Sequence, residues 1–115
     1  MALVESPIKP AVFYILLALA EQDRHGYAIM QAVRERSGGQ VPLRTGSFYR
    51  HLAQLIADGV VAETSGRPAD DDPRRGTYYR LTAPGHRVLA AERRRLADLV
   101  AVIDGLRPVS RRGPA

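Results

Sequence analysis

Residues 45–59 read Thr-Gly-Ser-Phe-Tyr-Arg-His-Leu-Ala-Gln-Leu-Ile-Ala-Asp-Gly. Phe48, Leu52, Leu55 and Ile56 stand at i, i+4, i+7 and i+8, which is one apolar stripe along a helix. At about 100° per residue, Ser47, Arg50 and Gln54 fall on the opposite face. Thr45 is a suitable N-cap, since its hydroxyl can accept from a free backbone N–H, and Gly59 is a suitable stop. The stretch therefore predicts an amphipathic helix over roughly 46–58. Its inner face is fully apolar, and its outer face carries amide, guanidinium and hydroxyl groups.

Upstream, Pro10 suits the first turn of a helix, because its fixed φ and missing N–H cost nothing there. A helix over 10–21 follows that is apolar nearly all round, so it belongs in a core or at a subunit interface. Residues 22–26 read as a turn. A second helix spans roughly 26–36, with Tyr27, Met30 and Val33 at helical spacing, and Ser37-Gly38-Gly39 ends it. Downstream, the β-branched stretch from Val60 to Thr64 and the stretch from Thr77 to Thr82 read as paired strands. The loop between them, 65–76, is rich in Pro, Asp, Arg and Gly and longer than an ordinary hairpin turn. Thr82 then caps a fourth helix over 83–104 with Pro84 in its first turn, about 33 Å long at 1.5 Å per residue. Leu89, Leu96 and Ile103 are spaced by sevens, as are Leu99 and Leu106. That is a short heptad seam, interrupted by Glu92.

The chain has 115 residues, enough for one domain. It has no Cys, which excludes disulfides, thiolate metal sites and cysteine nucleophiles. Its longest apolar run, Ala11 to Ala20, is too short to cross a bilayer, and the flank before it is too poorly basic for a secretory leader. A cytoplasmic protein with no membrane partner is expected. His25, His51 and His86 are scattered, and Asp70-Asp71-Asp72 lacks the glycine and distal glutamate of a calcium loop. No phosphate-binding glycine loop, metalloprotease helix or nucleophile elbow is present. The expectation is no metal, no cofactor and no catalytic site. Net charge is +5, and 16 of the 17 basic residues are Arg. Three of them lie in the last nine residues, which read as a disordered basic tail. Within residues 1–106 the balance is nearly even, so the position of the arginines matters more than their number.

Helix, helix, turn, helix, strand, long loop, strand, helix is the order of a winged helix-turn-helix. The helix over 46–58 would then be the recognition helix. Its start offers free N–H groups and a positive dipole end to a phosphate. Thr45, Ser47 and Tyr49 add hydroxyls, Arg50 and Gln54 face base edges, and His51 lies at the rim. Arg67, Arg74 and Arg75 in the loop supply a second electrostatic contact with DNA.

The segments His25-Gly26-Tyr27, Thr45-Gly46-Ser47-Phe48-Tyr49-Arg50 and Tyr78-Tyr79-Arg80-Leu81-Thr82 resemble the PadR family of bacterial transcriptional regulators over roughly residues 10–106. The resemblance implies a winged-helix DNA-binding domain, dimerisation through the C-terminal helix with help from the first, and repression of nearby promoters. It places the recognition-helix start on Thr45, Gly46, Ser47 and Tyr49, and the basic wing on Arg74 and Arg75. Some members respond to small molecules, so an effector of unknown identity is a possible partner. Three departures stand out. Asp70 to Asp72 put negative charge in the wing, there is no Trp to build an aromatic drug pocket, and one terminal helix leaves no separate effector domain.

The expectation is a mostly α fold with a small β-hairpin wing and a long C-terminal dimerisation helix. It divides into an arm (1–9), a winged helix-turn-helix domain (10–82), a dimerisation helix (83–106) and the tail (107–115). The dimer contacts would be Leu16, Leu89, Leu96, Leu99, Val100, Ile103 and Leu106. The functional expectation is a homodimeric repressor on a roughly palindromic double-stranded DNA operator. The alternative is a winged-helix protein-interaction module that does not bind DNA, which the acidic wing would favour.

Overall fold

The computed structural model describes residues 7–65 and 76–107. Four helices surround a small antiparallel sheet. In chain order they are α1 (Pro10–Glu21), β1 (Arg24–His25), α2 (Gly26–Arg36), α3 (Thr45–Ala57), β2 (Val61–Thr64), β3 (Tyr78–Leu81) and α4 (Ala83–Asp104). The sheet order is β1-β3-β2. Val61 pairs with Leu81 and Thr64 with Tyr78, so β2 and β3 form the expected hairpin.

β1 has no counterpart in the sequence reading, which placed a turn there. Two residues are too few to show a period-2 pattern, and this strand is made by its neighbours. Arg24 pairs with Tyr79 and His25 with Tyr78. The Arg24 Nε donates to the Ala18 carbonyl of α1 at 2.9 Å, and its Nη2 donates to Glu21 at 2.6 Å. Glu21 also accepts from Arg36 at the end of α2 (2.6 and 2.9 Å). One carboxylate thus ties the ends of α1 and α2 to the strand between them.

The core is one cluster. Ile15, Leu16 and Leu19 of α1 meet Ile29 and Val33 of α2, Phe48, Leu52 and Leu55 of α3, and Val60, Val61 and Leu81 of the hairpin. The all-round apolar character of α1 is explained by this position, since none of residues 11–20 is exposed. The expectation that Leu16 supplies surface to a second copy is corrected. It is fully buried in the chain's own core and has no surface to offer. Leu89 is also half-buried against that core rather than free.

α4 begins on a built joint. The Thr82 hydroxyl accepts from the Gly85 N–H at 3.1 Å and donates toward the Gly59 and Val60 carbonyl oxygens (2.7 and 2.9 Å). The expected cap is therefore present, and it also joins α4 to the end of α3. Farther along, Glu92 is not a flaw in an exposed seam. Its side chain is 2% exposed, accepts from Arg95 (Nε at 3.1 Å) and receives the Ile8 N–H at 3.4 Å, fastening the start of the described chain to α4. From Leu96 to Arg107 every residue is exposed.

Candidate nucleic-acid interface

The expected stripe on α3 is inside: Phe48, Leu52 and Leu55 are buried and Ile56 is half-buried. A helix so anchored turns its other side to solvent, and Thr45, Gly46, Tyr49, Arg50 and Gln54 are exposed there, with Ser47 and His51 half-buried. The helix starts one residue earlier than read. Arg44 is the N-cap, the Phe48 N–H donates to the Arg44 carbonyl at 2.8 Å, and no side chain caps the first turn. Thr45 is thus the first helical residue rather than the cap, because the helix closes on the carbonyl before it. Its hydroxyl is not committed to the helix start.

Two side chains on this face are held by neighbours. The Arg50 Nη2 donates to the Ser47 hydroxyl at 3.3 Å, and the Gln54 amide donates to the Asp58 carboxylate at 3.0 Å. His51 is kept below the ordinary histidine range by burial first, then by the charges of Lys9 and Arg50. With no acidic residue in the first turn of α3, the start of the helix keeps its positive end for an anion. Arg67, Arg74 and Arg75, and the three aspartates between them, lie outside the described residues, as does the tail from 108 onward.

The three motif segments converge beside α3. His25 lies in the sheet next to Tyr78, and the two rings meet edge to face at 5.4 Å. The His25 Nδ1 caps α2 by accepting from the Ala28 N–H at 3.3 Å. Gly26 follows, and the Tyr49 ring of α3 rests against it. Tyr27 then stacks parallel on His25 at 6.5 Å and is 66% exposed. In sequence Tyr27 stands at helical spacing with Met30 and Val33. The buried stripe runs through Ile29, Ala32 and Val33, and Tyr27 is exposed to solvent. Its position two residues after the α2 cap was the available signal, since a polar-tipped ring at a helix start costs nothing when exposed.

The profile of the transcriptional regulator PadR-like family matches residues 15–91, from the middle of α1 to the first half of α4. The chain belongs to the PadR-like family. A Lysinibacillus sphaericus protein described as uncharacterized protein X is 28% identical over 90 residues, covering 78% of this chain and 81% of its own length. Among solved structures, a PadR family transcription regulator of Clostridium difficile superposes with a TM-score of 0.68. It is 22% identical, with 84% of this chain and 96% of that one covered. A transcriptional regulator of Clostridium thermocellum gives 0.66 at 23% identity, covering 85% and 90%. At those identities the likeness carries the fold. Membership of the PadR-like family carries the function class: a DNA-binding transcriptional regulator and not an enzyme. Among the described residues no helix is long and apolar enough to cross a membrane.

Proposed function

We propose that this PadR-like regulator is a cytoplasmic homodimer that represses nearby promoters by inserting α3 into the major groove. The observation that carries the reading is the two-sidedness of α3. Three buried apolar residues fix one face, and Arg50, Gln54 and the uncapped first turn occupy the other. Ser47, Arg50 and Gln54 are assigned to base edges. Thr45 and Gly46 at the helix start, the rim residue His51 and the loop arginines Arg67, Arg74 and Arg75 are assigned to phosphates. The exposed Tyr27 hydroxyl is assigned to the DNA backbone next to them.

The dimer reading is supported by α4. Leu96, Leu99, Val100 and Ile103 are exposed on a helix whose first half alone meets the core, and Leu106 just past its end is exposed as well. That row needs cover, and a second copy of the same helix matches its spacing. Two recognition helices would then meet successive major grooves about 34 Å apart, which makes the operator roughly palindromic. An effector would act by changing the packing of α4 and so the separation of the two α3 helices.

The test is a binding titration against the DNA upstream of the protein's own coding region, with a scrambled duplex as control, over a range of salt. Preference for the upstream DNA is expected, with log affinity falling by about 0.9 per phosphate contact for each unit of log salt. Equal binding to both duplexes refutes the sequence-specific reading, and no binding at micromolar protein refutes DNA binding itself and leaves the protein-interaction alternative.

A further inference from the structure

Gly26 occupies a place where glycine is not required by backbone conformation. It is the first residue of α2, and its φ is not positive. In a helix, glycine is the weaker choice against alanine. What excludes a side chain is α3. A Cβ added at Gly26 would lie 2.5 Å from the Tyr49 hydroxyl oxygen, 3.3 Å from the ring carbon that bears it, and 3.5 Å from Cε2 of Phe48. Ordinary contact begins near 3.4 Å, so the phenol would have to withdraw by about 0.9 Å.

The ring cannot withdraw inward. Tyr49 packs edge to face on Phe48 at 4.7 Å, and Phe48 is fully buried. On the sheet side stands Tyr79, whose phenol is raised above its ordinary range by burial first and then by the neighbouring Tyr49. A tyrosine has two side-chain torsions, so retreat from Gly26 means swinging the ring outward beside Arg50 or rolling α3 as a whole. Either movement changes the face that carries Ser47 and Arg50.

We propose that Gly26 and Tyr49 form a spacer that sets the height and roll of the recognition helix against α2. Tyr49 bears inward on a bare Cα, and Gly26 is a positioning residue for DNA readout. The proposal rests on the DNA-binding reading of α3, and it gives the Tyr49 hydroxyl a seat on α2 instead of a place on DNA.

A double-mutant cycle tests it. Gly26→Ala is measured in the natural background and with Tyr49→Phe also in place, which removes the atom that the new Cβ meets first. The readout is the ratio of affinity for upstream DNA to affinity for a scrambled duplex, since a general loss of folded protein lowers both together. In the natural background Gly26→Ala should lower the ratio about tenfold, the size of one lost base contact. With Tyr49→Phe present, the same change should lower it by less than about threefold, because the interaction energy between contacting sites is then removed. Equal penalties in both backgrounds, or no penalty in the natural one, overturn the proposal.

A second readout needs no DNA. Backbone amide resonances of 46–50 should move in Gly26→Ala and return in the double variant. Failure to move, or failure to return, also overturns it. Should the natural protein show no preference for upstream DNA, the functional reading fails while the amide resonances still decide the spacer. Should Gly26→Ala be too unstable to titrate, the cycle is read in unfolding free energies, with the same requirement that the penalty vanish beside Tyr49→Phe.

Discussion

Replacing Gly85 with alanine puts a methyl group into the joint between α4 and the sheet. A Cβ there would fall well inside 3.0 Å of the Val60 carbonyl oxygen and 2.6 Å from Cδ1 of Leu81. The carbonyl cannot yield freely. It accepts from the Thr82 N–H at 3.0 Å and lies 2.9 Å from the Thr82 hydroxyl, the same hydroxyl that caps α4. Relief therefore requires α4 to lift off the hairpin. Overpacking of this kind costs about 1–3 kcal/mol. Alanine recovers up to about 1 kcal/mol of helix propensity. The net loss is about 1–2 kcal/mol, which for a domain of this size lowers Tm by roughly 4–8 °C.

The control is Gly46→Ala. Gly46 is also helical, and nothing lies within 4 Å of the position its Cβ would take. Propensity alone then acts, so that variant should gain up to about 1 kcal/mol. Thermal unfolding followed by circular dichroism, at one fixed protomer concentration because an assembling protein melts in a concentration-dependent way, reads both signs. A Gly85→Ala protein that melts at or above the natural one refutes the reasoning, as does a Gly46→Ala protein that loses as much.

Arg50→Ala should cost about 1–3 kcal/mol on the preferred operator and relax preference at one base position, measured by competition with single-base variants. Uniform weakening on all sequences would make Arg50 a phosphate contact. Leu96→Glu with Leu99→Glu should give monomers by sedimentation equilibrium while leaving the core untouched, because both side chains are exposed beyond it. A dimer that persists places the interface elsewhere. His51 has a folded pKa lowered below the ordinary 6.5 by burial, Lys9 and Arg50. Below that ordinary value the unfolded chain binds the proton more readily, so His51 costs stability as pH falls through 6.5 and has no effect above it. The fall in Tm between pH 7.5 and 5.5 should therefore be smaller in His51→Gln, and an equal fall in both proteins would refute the assignment.

Much of this molecule is legible along the chain because its elements are set by local rules. The stripe of Phe48, Leu52 and Leu55 shows a 3.6-residue period, and that period alone orients Arg50 and Gln54 outward. Pro10, Thr82 and the glycines near 38 and 59 punctuate the helices by their own backbone preferences. Heptad spacing marks Leu96, Leu99 and Ile103 as a row, and the described residues leave that row exposed.

The tertiary structure decided what depends on neighbours remote in sequence. β1 is two residues long and exists only because Tyr78 and Tyr79 lie beside it and Glu21 grips Arg24. Leu16 looks the same in sequence whether it serves a core or an interface, and only the packing of α1 shows that it is core. Glu92 reads as a flaw in a seam until Arg95 and Ile8 are seen to enclose it. Tyr27 fits a helical spacing, but spacing fixes an angle only relative to a stripe, and the stripe lies elsewhere on α2. Gly26 is the plainest case. Its own φ does not require glycine, and its reason for being one, the Tyr49 ring of α3, stands 23 residues away. Period and capping are properties of a chain segment, whereas burial and exclusion are properties of what packs against it.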